Sequence, residues 1–264
     1  MKKTVTLALA LSCSLALLGG CATSDTPAQT AEEKANFTDE MKIPYATDLS
    51  PEDGADSVER KGDHQDSPYY KSPDVYNMES TDTLTVLSKF KTMQQTSEWA
   101  CGVTSALMVL NWYDKLGDWN EESLAALRHE LTGDMAEYPG TTLKQAMDIF
   151  DGVGGFTYTT TLDKPEIWTT DIKAWLDEGT PVMIGWNDWG GHWQVIIGYD
   201  TMGTETEQDD VFLVADPYDT TDHDQDGYGV IPAERFLYNF TMYDTFPEEE
   251  GGNDMLYLAA KPAQ

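Results

Sequence analysis

Cys101 opens an apolar run, Val103 to Trp112, in which Val103, Ala106, Leu107 and Leu110 repeat at the spacing of one helical face. A thiol at a helix start meets unpaired backbone N–H groups and the positive end of the dipole, which favour a thiolate. Six residues upstream, Gln95 offers an amide that could donate to a developing oxyanion. A thiolate nucleophile also needs a proton carrier. The chain has four histidines. His64 lies in a polar stretch, His129 between Arg128 and Glu130, and His223 in an acidic loop. Only His192 begins a strand-like run, after Gly190-Gly191, with Gln194 and Ile196 on its face. Asp216 ends the run Val211 to Ala215 and would return beside His192 if the two runs pair as a hairpin, placing it to orient the imidazole. Asp200 is the second candidate for that role. Together these residues spell acyl transfer through a thioester. The competing reading makes Cys101 a small core residue, His192 a structural strand end, and Asp216-Pro217 a strand stop.

These groups need elements to carry them. Thr83 to Leu87 reads as a short strand leading into the glutamine loop. Helices are expected from Cys101, over Glu121 to Leu131 behind an Asn120 cap, after Thr141 until Gly152, and from Thr170-Asp171 to Gly179. The period then changes. Pro181 to Trp186, His192 to Tyr199, Val211 to Ala215 and Met255 to Ala260 read as strands, with a short helix over Pro232 to Asn239. Helices first and an antiparallel sheet second make an α+β domain.

The N-terminus reads as an address. Lys2 and Lys3 precede an apolar run, Thr4 to Leu18, of signal-peptide length. Leu18-Gly19-Gly20-Cys21 resembles the lipobox of bacterial lipoproteins. That resemblance implies a signal peptide over 1–20, lipidation of Cys21, and an exported protein anchored to the bacterial cell membrane. Of the three cysteines, Cys13 would leave with the signal and Cys21 would be capped, so Cys101 is the one remaining thiol. Intramolecular disulfides and cysteine-built zinc sites are thereby excluded. Between Ala22 and Ser80 the only Leu, Ile or Val are Ile43, Leu49, Val58 and Val75, so 21–67 is expected to be an acidic, disordered tether and 68–264 the domain. The net charge of −31 repels nucleic acid, and no basic stripe interrupts it. A monomer with no nucleic-acid partner is expected.

The ordered blocks Gln95-x5-Cys101-Gly102, Met108 to Tyr113, Gly191-His192-Trp193-Gln194 through Asp200, and Ala215-Asp216-Pro217-Tyr218 resemble one family. It is the papain-like cysteine peptidases of the bacteriocin-processing type (clan CA, family thirty-nine), here in a stand-alone exported form. The resemblance implies a papain-like fold, a peptide or protein substrate, Cys101 as nucleophile, His192 as base, Asp216 as orienter and Gln95 in the oxyanion hole. Catalysis of this kind requires no cofactor. Trp99, Gly102, Gly191 and Trp193 flank these groups and are expected to line a peptide cleft, with packing in the core as the alternative for the tryptophans.

Asp222-His223-Asp224-Gln225-Asp226-Gly227-Tyr228 places acids at alternate positions before a glycine, as at the start of an EF-hand loop. Asp222, Asp224, Asp226 and the Tyr228 carbonyl are candidate ligands of a structural Ca²⁺; the twelfth position is Ala233 rather than Glu. An acidic turn without an ion is the alternative. The expected function is hydrolysis of peptide or amide bonds. A binding module that has lost turnover, and an acyl transferase or deamidase on the same triad, are the competing classes.

Overall fold

The computed structural model describes residues 40–57, 73–220 and 225–263. The expected signal peptide, Cys21, Asp222 and Asp224 lie outside them. Seven strands form one antiparallel sheet: β1 (Leu84–Val86), β2 (Phe156–Thr160), β3 (Val182–Trp186), β4 (His192–Asp200), β5 (Val211–Ala215), β6 (Tyr228–Pro232) and β7 (Leu256–Pro262). Their order is β2-β7-β3-β4-β5-β6, with β1 also paired to β4. The helices are α1 (Cys101–Trp112), α2 (Glu121–Ala125), α3 (Leu143–Val153), α4 (Thr169–Asp177) and α5 (Ala233–Tyr238). The architecture is the expected α+β.

Helix α1 is the centre of the fold. Its first ten residues, Cys101 to Leu110, are all buried, where the periodicity had marked only one buried face. Burying Leu107, Met108 and Leu110 contributes about 1.5–3 kcal/mol each. The two polar residues on its remaining face are satisfied locally: Thr104 Oγ1 donates to Glu121 at 2.6 Å and Ser105 Oγ to the Trp193 carbonyl at 3.2 Å. A buried hydroxyl with a partner avoids the desolvation cost that would otherwise oppose this position.

Three elements differ from the sequence reading. Helix α2 stops at Ala125 rather than Leu131. Arg128 Nε bonds the Ala125 carbonyl at 3.3 Å and its Nη1 the Gly140 carbonyl at 2.8 Å, which turns the chain away. The cap of α3 is Thr142, not Thr141, through a reciprocal capping box with Gln145. Strands β2 and β6 were not expected. They are the two outer strands of the order, where one neighbour suffices and the hydrophobic pattern is weaker.

Residues 40–57, placed within the tether by composition, pack against the domain. Met41, Ile43 and Ala55 are buried, and Lys42 forms a parallel bridge with Thr92.

Candidate active site

Cys101 is the first residue of α1, and Ala100 before it has no side chain to cap the first turn. The helix start therefore faces the thiol with its own N–H groups. The sulfur is largely buried, with the residue 7% exposed.

The strands bring the imidazole and its carboxylate together. Strand β4 begins at His192, opposite Trp186 of β3. On its other side Val195 pairs with Ala215 of β5, so the next residue, Asp216, falls alongside His192 and Gln194. His192 Nε2 lies 2.7 Å from Asp216 Oδ1, and Gln194 Nε2 donates to Asp216 Oδ2 at 2.7 Å. The backbone N–H of Tyr218 adds a third bond, to Oδ1, at 2.8 Å. Gln194 is itself held by the indole N–H of Trp186 at 2.9 Å. Four side chains thus form a chain ending at the imidazole. Asp200, the second candidate, ends β4 far along the strand.

Burial opposes charge on His192, but the Asp216 charge and hydrogen bond outweigh it, with the Cys101 side chain acting in the same sense. The imidazolium is held well above the ordinary histidine value. Asp216 answers in the opposite sense: burial raises its carboxyl, the His192 charge and hydrogen bond lower it further, and it stays ionised. With Nε2 committed to Asp216, Nδ1 is the nitrogen left for the thiol.

A cleft of about 200 Å³ opens at Cys101, between Glu98, Trp99, Tyr138, Gly140 and Thr141 on one side and Gly191, Trp193 and Met242 on the other. Trp99, Gly191 and Trp193 were expected there. Gly191 adopts φ 135°, and a Cβ on it would lie 2.7 Å from Met242 Cε, so only glycine leaves this wall its shape. Trp193 is mostly a wall residue, its indole N–H donating to the Thr141 carbonyl at 2.8 Å. Gly102 is not in the cleft. It lets α1 approach Thr141, whose Cβ would be 2.6 Å from an added methyl.

Gln95 is 1% exposed. Its Nε2 donates to the Ser97 carbonyl at 2.7 Å, and its Oε1 has no hydrogen-bond partner among the described residues. The amide belongs to the loop before Cys101 but is not part of the cleft wall.

Sequence reasoning missed Tyr138, Met242, Glu98 and Arg128. They come from irregular segments whose spacing carries no periodic signal. Burial and the nearby Cys101 charge push the Tyr138 hydroxyl up to about 12. Arg128 lies over the Trp99 ring at 5.2 Å; burial lowers its value while Cys101 acts the other way, so guanidinium and sulfur lie within electrostatic reach. Gln194 was legible as the residue sharing a strand face with His192.

In the acidic loop, Asp226 Oδ1 accepts the Tyr228 N–H at 2.9 Å, and Tyr228 is paired into β6 opposite Ala215. Among the described residues no three His, Cys, Asp or Glu side chains are grouped to hold a metal.

The sequence model of the Peptidase_C39 like family matches residues 87–244, more than half of the chain. The protein belongs to this family. A crystal structure from Bacillus anthracis, provisionally described as a C39-like peptidase, is similar over 69% of this chain and 100% of its own, with a TM-score of 0.50 at 15% identity. At that identity the likeness concerns the fold. No curated protein matches the chain. The matched residues contain Cys101, His192 and Asp216, and exclude the segment 40–57.

Proposed function

We propose that this C39-like protein is a cysteine peptidase in which Cys101 attacks the carbonyl carbon of a peptide or amide bond. The observation that carries the reading is His192, whose Nε2 lies 2.7 Å from Asp216 Oδ1 and whose charged form is favoured also by the Cys101 side chain at the start of α1. In this mechanism the Cys101–His192 pair supplies a thiolate, whose electron pair forms the C–S bond. The oxyanion takes a hydrogen bond from the Cys101 backbone N–H and, after a rotation of its side chain, from Gln95. His192 then passes its proton to the leaving amine, leaving a thioester. A water that gives its proton to His192 hydrolyses the thioester and restores the thiol. Asp216 keeps Nε2 protonated and the ring in place throughout. Trp99, Gly191 and Trp193 would flank the bound peptide.

Iodoacetamide tests the nucleophile. Native Cys101 should be alkylated faster than a model thiol, and His192→Ala should slow the reaction. A Cys101 that reacts only after denaturation is a core residue, and the reading then fails.

Lipidated Cys21 would hold the protein on a membrane, so Cys21→Ser should move it out of the membrane fraction or leave it unprocessed. A Ca²⁺ in the acidic loop is proposed from the alternating acids. Millimolar Ca²⁺ should then raise the melting temperature, and an unchanged melt would leave an ordinary acidic turn.

A further inference from the structure

The loop that ends at the nucleophile is held peptide by peptide. The N–H of Gln95 donates to the Pro217 carbonyl at 2.9 Å, on the side of Asp216. The next peptide unit is fixed at both ends: the Gln95 carbonyl accepts from the Ala55 N–H at 3.0 Å, and the Thr96 N–H donates to Glu121 Oε1 at 3.0 Å. The unit after that gives its Thr96 carbonyl to the Ser50 N–H at 3.1 Å. The Thr96 hydroxyl takes the Leu49 N–H at 3.0 Å and donates to Glu121. Beyond it, Glu98 Oε1 accepts from the Gly54 N–H at 3.2 Å and the Tyr218 hydroxyl at 2.6 Å.

Four of these bonds come from Leu49, Ser50, Gly54 and Ala55, which lie outside the residues shared with the family. Their anchor is apolar: Met41, Ile43 and Ala55 are buried, and the Ile43 N–H and Met41 carbonyl bond Thr92 at 2.7 and 2.9 Å. A peptide unit with both polar ends engaged cannot rotate without breaking a bond, whereas one with a released carbonyl can. Rotation about the Gln95–Thr96 unit would swing the Gln95 side chain without moving the start of α1.

We propose that residues 40–57 are a strap that positions the Gln95–Glu98 loop, so that oxyanion stabilisation at Cys101 depends on a segment outside the family's shared residues. The part concerning the oxyanion rests on the peptidase reading above. Ser50 and Ala55 are its positioning residues.

The test is Ala55→Pro in the full chain. Ala55 opens the short 3₁₀ turn Ala55–Ser57, so proline there removes the N–H that reaches Gln95 and also enlarges a fully buried side chain. Ala55→Gly keeps that N–H and serves as control. Ser50→Pro removes the neighbouring bond to the Thr96 carbonyl, with the bond from the same N–H to Asp48 Oδ1, and carries the same test if Ala55→Pro lowers the melting temperature. With the best substrate from a quenched fluorescent peptide library, kcat should fall about tenfold with KM unchanged, as expected when a transition-state contact alone is disturbed. Iodoacetamide alkylation of Cys101 should keep its rate, because that reaction forms no oxyanion. Amide hydrogen exchange over residues 92–101 should quicken about tenfold. Unchanged kcat and unchanged exchange in both variants overturn the proposal. So does a parallel loss of alkylation, which would mean general damage to the site. If the wild-type protein cleaves no library peptide, the peptidase reading has failed, and exchange alone decides the strap: loop amides no faster in either variant overturn it.

Discussion

Two histidines of this molecule each meet carboxylates, in opposite settings. His192 is 5% exposed, spends Nε2 on Asp216, and keeps Nδ1 for Cys101. His129 sits past the end of α2 with its side chain 38% exposed, its Nδ1 lying 2.5 Å from Asp148 and its Nε2 3.1 Å from Glu250. Hydrogen bonding to Asp148 chiefly raises the His129 value, burial opposes it, and the Glu250 hydrogen bond and charge add to the rise. A carboxylate contact and a raised value are therefore shared by both. What differs is the second nitrogen. His129 has both ring nitrogens on acids, which makes it a clip between α3 and the 248–250 turn. His192 has one nitrogen on an acid and the other left for the thiol that begins α1, the arrangement a proton carrier requires.

The largest test of this contrast is His192→Ala, which should lower kcat/KM by about 10⁴-fold or more while the melting temperature moves little. An active His192→Ala would erase the distinction between the two histidines. Asp216→Asn comes next. The amide oxygen can still accept the Nε2–H but carries no charge, so we expect a loss of about tenfold in kcat and a His192 titration, followed by NMR, that shifts down. If the titration stays put, Asp216 is not the group that holds the imidazolium.

The smallest effect belongs to His129→Gln. Activity should be unchanged, and the stability lost should stay below about 1 kcal/mol, since the pair is solvent-screened. The sign follows from linkage. A raised folded value contributes stability that is complete below the unfolded value of about 6.5 and is lost as pH rises through the folded value. Melting curves of wild type and His129→Gln should therefore differ most near pH 5.5 and converge in alkaline buffer. A difference that grows with pH would mean the cluster does not hold a protonated imidazole.

The site was more legible than the ground it stands on. Cys101, His192 and Asp216 could be picked from the chain because each sits at an element boundary marked by strong local chemistry: the start of an apolar helical run, a Gly-Gly turn before a strand, and an Asp-Pro after one. The β4–β5 pairing that brings Asp216 to His192 carries an irregularity between Ile196 and Gly198, which the nearly continuous apolar runs do not mark. Gln95 was singled out by its spacing, yet its amide turns to Ser97, because a carboxamide goes to whichever partner folding places nearest. Gly102, expected at substrate, serves helix packing against Thr141, a contact 39 residues away that no local pattern encodes.

The amino-acid sequence by itself determined the helix-then-sheet order, the acidic surface, and the residue types available for thiol chemistry, because these depend on periodicity, charge and counting. Tertiary structure alone decided the rest. It buried all sides of α1, since a central helix meets neighbours in every direction. It set His192 against Asp216 and His129 between Asp148 and Glu250. It also drew residues 40–57 onto the nucleophile loop, because a few buried side chains and a row of backbone donors suffice to dock a segment whose composition reads as solvent-loving.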